Sequence, residues 1–166
     1  MRLKFSLFVA AFVMTACTTP YIMQSRFDMA QAQKALENGN NTISGEAFMR
    51  KNGGDVVTCA GYDVKLIPDT PYARERMNVE YGNFFKGYKS YYRNITFSPD
   101  DPQYYMVMRQ ETCSSTGHFK FNNVKSGEYF IVAKVVWYVS ETIQGGSLMQ
   151  RVIVEGGENK EVILVD

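Results

Sequence analysis

Residues able to move a proton or attack a carbon are few in this chain, and they do not converge. The one histidine, His118, follows Ser114 and Ser115 in CSSTGH. A serine beside a base can form a nucleophilic pair, but such a pair works only when a third group orients the base. In HFKFNNV the histidine alternates with Phe119 and Phe121, which places it on the polar side of a strand. A solvent-facing histidine is therefore expected, and a Ser115/His118 hydrolase is the least supported reading. With one histidine and no closely spaced cysteine pair, no transition-metal site is expected. Asp100-Asp101-Pro102 lacks the regular ligand spacing of a calcium loop and reads as a turn. The glycine pairs do not sit between a strand and a helix, so they cradle no phosphate. No catalytic residue, metal or cofactor is assigned, and the chain is not expected to be an enzyme.

Rings and cations, in contrast, are concentrated. Residues 72–105 read YARERMNVEYGNFFKGYKSYYRNITFSPDDPQYY, where Lys86, Lys89 and Arg93 interleave with aromatics. Tyr81, Phe84, Phe85, Tyr88, Tyr91, Tyr92 and Arg93 are the candidate partner-binding residues. Aromatics with arginine favour protein interfaces, and amphipathic rings also stack on sugars. The alternative is that these rings fold back over one face or edge of the domain, since a fully exposed patch of this size would promote aggregation. Both readings stay open on the sequence alone.

The elements that would position these residues are short strands. Residues 18–24 read as a tether, and 25–40 as a helix with Ser25 as cap and Gly39 just past its end. From Thr42 the pattern becomes strands with turn punctuation: 42–50, 55–68 with a bulge at Ala60-Gly61, 104–113, 118–124, 128–139, 148–155 and 160–165. The breaks SSTG, KSG, QGG and GGEN are turn chemistry. Thr70 and Pro71 can open a short helix inside the connection at about 70–103. Seven short strands at this spacing predict a mainly β fold, an antiparallel seven-stranded β-sandwich with a short N-terminal helix and a long aromatic-rich connection. No alternating strand–helix pattern supports a parallel sheet.

The N-terminus, MRLKFSLFVAAFVMTAC, places basic Arg2 and Lys4 before an uncharged run from Phe5 to Met14. That run falls short of the roughly 20 residues a membrane-spanning helix needs, and it matches the core of a secretory signal. MTAC resembles the lipobox of bacterial lipoproteins, with Met14 departing from the commoner leucine. The resemblance implies cleavage before Cys17 and lipidation of its thiol. Two or more acyl chains hold a protein stably at a bilayer. Thr18, in place of an aspartate, leans toward the outer membrane over retention in the inner one. The expected organisation is a signal peptide at 1–16, a lipid-anchored tether and short helix at 17–41, and the sandwich at 42–166.

Loss of Arg2 and Lys4 with the signal leaves 16 Lys+Arg from the chain's 18 against 17 Asp+Glu, a near-neutral balance that argues against nucleic acid. It also leaves Cys59 and Cys113 as the remaining thiols. They either bridge or stay buried as small hydrophobes, and an oxidising compartment favours the bridge.

Within TGHFKFNNVKSGEYFIV, Gly117, Phe119, Phe121, Asn123, Val124, Gly127 and Tyr129 resemble the hallmark hairpin of carboxypeptidase-regulatory-like domains, the prealbumin-like (transthyretin-like) sandwich. ISGEAF and AGYDVKLIP are similar to that family's first two strands. The turn lacks the family's usual prolines, and the 70–103 connection is longer than the small domains need. The resemblance implies a non-catalytic accessory or interaction module. The function expected from these features is a lipid-anchored envelope protein, outer-membrane bound and facing the periplasm, that engages a protein partner through residues 81–105. A glycan- or peptidoglycan-binding module using the same rings is the alternative.

Overall fold

The computed structural model describes residues 19–166; Cys17 and the expected signal peptide lie outside the described residues. The fold is mainly β and builds two packed sheets plus a two-stranded ribbon. One sheet has five antiparallel strands in the order β5 (Lys86–Ser90), β10 (Thr142–Val154), β9 (Gly127–Val139), β4 (Asp63–Pro68) and β7 (Arg109–Thr112). The other is organised on β2 (Asn38–Arg50), which pairs in parallel with β11 (Asn159–Leu164) and antiparallel with β8 (His118–Val124) and β3 (Val56–Thr58). β1 (Tyr21–Ile22) runs parallel to β6 (Phe97–Ser98). The helices are α1 (Met29–Ala35), α2 (Pro71–Tyr81) and α3 (Gln103–Met106).

Alternation in the sequence becomes burial. Ile43, Ala47 and Met49 from β2, Phe119 and Phe121 from β8, and Tyr129, Ile131, Ala133 and Val135 from β9 meet between the sheets. β9 is apolar on its other side as well, because Phe130 and Val132 join a second cluster outside the five-stranded sheet. There α2 and its neighbours cover the sheet with Tyr72, Ala73, Met77, Tyr81, Phe97 and Tyr104. Thr70 Oγ1 accepts the Ala73 N–H at 3.2 Å and Pro71 opens the helix, as the sequence predicts.

In the expected hairpin, Gly117 has φ +87°, and a Cβ there would come within 2.6 Å of Thr58. The Tyr129 hydroxyl reaches the Ala35 and Lys125 carbonyls at 2.7 and 2.8 Å, so it ties the turn to the end of α1. Cys59 and Cys113 form a disulfide, Cα–Cα 5.8 Å, inside the core between the sheets.

Several boundaries differ from expectation. The described residues hold eleven strands where seven were expected, and two of the pairings are parallel. Residues 55–68 are not one bulged strand: β3 belongs to one sheet and β4 to the other, and the turn at Gly61 carries the chain across. The QGG stretch is no break. Gly146 lies inside β10, where a Cβ would meet the Lys89 carbonyl at 2.0 Å, so glycine lets β5 approach. The turn falls instead at Ser140, with φ +53°. Residues 103–106 form a helical turn rather than strand, since Tyr104 packs edge-on against Tyr72 and Phe27. α1 starts after Asp28, whose carboxylate accepts the Gln31 N–H at 3.0 Å, in place of Ser25. The expected tether is docked from Tyr21 onward: Tyr21 pairs with Phe97, and Glu75 accepts the N–H groups of Gln24 and Ser25, each at 2.7 Å.

Candidate functional site

Strand alternation divides the outer face of the five-stranded sheet into a covered end and an open end. In one cross-strand row Met149 pairs with Gly87 on one side and Val132 on the other, and Val132 pairs with Lys65. Gly87 lies so close to Tyr81 that a Cβ would come within 2.6 Å of that residue's own Cβ, which packs the end of α2 onto the sheet. In the next row Ser147 pairs with Lys89 and with Lys134. This row is polar, and no helix covers it fully.

Above it opens a cleft of ≈ 630 Å³. α2 supplies Arg76, Met77, Glu80 and Tyr81 to one wall; Tyr91, Arg93, Asn94 and Ile95 supply another. Tyr104, Tyr105 and Met108 close a third side, and Tyr62, Asp63, Lys65, Val132, Lys134 and Ser147 form the floor.

The polar groups are held in defined places. Arg76 is 3% exposed, with its guanidinium carbon 4.0 Å from the Phe97 ring centre and 4.7 Å from that of Tyr104. Its Nη1 donates to Asp100 Oδ1 at 2.5 Å and to the Tyr72 hydroxyl at 3.2 Å, and its Nη2 donates to the Tyr105 hydroxyl at 2.7 Å. Burial is the largest single influence and opposes the charge on Arg76, but the bonds to Asp100 and Tyr72 and the nearby Tyr105 and Tyr104 together outweigh it, and the pKa is raised. Burial pushes the Tyr81 and Tyr104 hydroxyls well up, so both stay neutral. Tyr81 Oη lies 3.0 Å from Ser147 Oγ, Lys89 is ion-paired with Glu80, and Arg93 Nη2 donates to the Val79 carbonyl at 3.1 Å. Lys134 Nζ sits 4.9 Å from the Tyr62 ring centre and 5.7 Å from that of Tyr91. Such a floor, of rings and hydrogen-bonding groups in one concavity, offers both apolar faces and polar anchors to a small polar ligand.

The candidate residues divide. Tyr81, Tyr91 and Arg93 line the cleft. Tyr81 is buried cover, and Phe84 is half-buried against Phe85, ring centres 4.2 Å apart. Phe85, Tyr88 and Tyr92 lie outside the cleft, 57%, 41% and 63% exposed, with the Tyr88 hydroxyl donating to the Gly145 carbonyl. His118 is exposed on β8; its Nε2 lies 2.7 Å from Glu46 Oε1 and its Nδ1 3.0 Å from Thr116 Oγ1, so its ring bonds run to these two and not to Ser115.

Sequence reading missed Tyr62, Lys65, Arg76, Tyr105 and Lys134. One visible signal was Lys134, a cation in the middle of the apolar run EYFIVAKVVWYV. Another was Arg76, on the face of α2 that carries Tyr72, Ala73 and Met77.

No protein-family model and no curated protein matches the sequence. Among solved structures, the chain is similar to a "putative carbohydrate binding protein" from Pseudomonas aeruginosa, with a TM-score of 0.68 and 21% identity over 86% of this chain and 99% of that one. At that identity the likeness shows a shared fold.

Proposed function

We propose that this protein is a non-catalytic envelope lipoprotein whose prealbumin-like sandwich binds glycan in the cleft between α2 and the five-stranded sheet. The observation that carries the reading is the cleft itself, where Tyr62, Tyr91 and Tyr105 stand beside Lys134, Asn94 and Ser147. Sugars present C–H faces that pack on aromatic rings and hydroxyls that need both donors and acceptors. The carbohydrate binding named for the similar Pseudomonas aeruginosa protein supports the same direction. Cys17, by its resemblance to a lipobox cysteine, would anchor the chain at the outer membrane facing the periplasm.

The test is co-sedimentation with purified cell wall, followed by titration with defined oligosaccharides. Wild type is expected to bind, and Tyr62→Ala and Tyr91→Ala each to weaken binding about tenfold, the equivalent of about 1.4 kcal/mol. Retention by no glycan would sink the reading.

A second reading draws on the exposed rings outside the cleft, Phe85, Tyr88 and Tyr92. They suit a protein partner. An envelope protein captured by wild type and lost in a Tyr88→Ala/Tyr92→Ala variant would favour it.

A further inference from the structure

We infer that the ligand of this cleft is anionic: a sugar bearing a carboxylate, sulfate or phosphate. The inference rests on the glycan-binding reading above and narrows it. Five cations line the cleft, Lys65, Arg76, Lys89, Arg93 and Lys134, against two carboxylates, Asp63 and Glu80. Two of the cations are already compensated, Lys89 by Glu80 and Arg76 by Asp100. Among the described residues, Lys65, Arg93 and Lys134 have no carboxylate within ion-pairing distance. The one carboxylate left over, Asp63, accepts a hydrogen bond from the Thr112 hydroxyl at 3.2 Å. Three cations therefore face one partly engaged anion.

Lys134 is the centre of this excess. Its ammonium lies near two tyrosine rings, which attract a cation without neutralising it and leave its N–H groups to find oxygen acceptors. A second, independent observation points the same way. Arg76 Nε and the Tyr104 hydroxyl belong to cleft-lining residues that are each 3% exposed, and neither atom has a hydrogen-bond partner. Arg76 Nε can only donate, and the hydroxyl can. What the cleft has in surplus is positive charge without a carboxylate partner, and an anionic oxygen is the group that only accepts. A neutral sugar would leave these cations without a counter-charge. Lysine attracts an anion as a point charge and sets no fork geometry, so carboxylate, sulfate and phosphate share the chemistry.

The test is titration of the processed, folded protein with uronate, sulfated, phosphorylated and neutral oligosaccharides of matched length, at low and high salt. Binding is expected to prefer one of the three acidic arms by at least tenfold over neutral sugar and to weaken as salt rises. The arm that binds identifies the source of the charge. Lys134→Gln, an exposed position, is expected to lower acidic-sugar affinity about tenfold while a control at Lys160 on β11, Lys160→Gln, leaves it unchanged. A thermal melt of each variant separates lost binding from lost fold. Equal, salt-insensitive binding of neutral and acidic sugars would overturn this inference and leave the glycan reading standing. Binding of no sugar would overturn both.

Discussion

At the scale of single residues, the polar groups that matter most are those taken out of water and fully used. Asn41 is completely buried. Its Nδ2 donates to the Val124 carbonyl at 2.9 Å and to Ser126 Oγ at 3.1 Å, and its Oδ1 accepts from the amides of Gly157 and Glu158 at 2.8 and 3.0 Å. One side chain thus joins β2, the turn after β8 and the turn before β11. Truncation leaves buried amides and a carbonyl unpaired, each costing about 1–3 kcal/mol where water cannot enter. Asn41→Ala is expected to lower unfolding free energy by about 2–4 kcal/mol in urea titration without altering the cleft. A loss below half a kcal/mol would mean that water replaces these bonds. Arg76 is used differently: Nη1 donates twice, Nη2 once and Nε not at all, although the side chain is buried.

Among elements, the N-terminal segment and α2 are coupled through Glu75. Burial pushes the Glu75 carboxyl up, but the N–H groups of Gln24 and Ser25 and the hydroxyls of Ser25 and Tyr21 together push it down further, and it settles below its ordinary value. A depressed carboxylate contributes stability that is present above its unfolded value, about 4.3, and is lost as pH falls through the lower folded one. Protection of the Gln24 and Ser25 amides from hydrogen exchange is therefore expected to fall on acidification below about pH 4. Glu75→Gln should lower that protection at neutral pH and flatten its pH dependence. Unchanged protection in the variant would show that the β1–β6 pairing alone holds the segment. β5 is a second case of one element depending on another's composition, because Gly146 and Gly87 admit backbone and ring where any side chain would intrude.

For the whole molecule, the disulfide is the tie between layers. Cys59 follows β3 in one sheet, Cys113 follows β7 in the other, and the bridge closes a separation of 54 residues. Loops of that length contribute about 4 kcal/mol through the entropy they remove from the unfolded chain, and measured values run from about 2 to 5. A Cys59→Ala/Cys113→Ala variant is expected to unfold in less urea by that margin and to become insensitive to reductant, whereas wild type should drop to match it when reduced. Equal stability of wild type with and without reductant would contradict this. Because the cleft stands on the outer face of the five-stranded sheet, the variant should keep the proposed sugar binding while folded.

Strand alternation, the turns at SSTG, KSG and GGEN and the Thr70-Pro71 helix start were legible in the amino-acid order, because each depends on neighbours within a few positions; the QGG glycines, which serve a neighbouring strand, were not. The inward row Phe119, Phe121, Tyr129, Ile131 follows from a two-residue period, whereas the bridge between Cys59 and Cys113 was the alternative that an oxidising compartment favours. Which rings would cover the sheet and which would face solvent was not legible: Tyr81 and Tyr91 lie ten positions apart in one aromatic run and both line the cleft, yet Tyr81 is buried in one cluster with Met149 and Tyr91 is exposed. That choice depends on the registers of β5 and β4 against the β9–β10 hairpin, from which both lie far in the chain. The same registers assemble Lys65, Lys89 and Lys134 over one floor. Local order determines which face of a strand a side chain occupies, and only the packing of distant strands decides what stands opposite it.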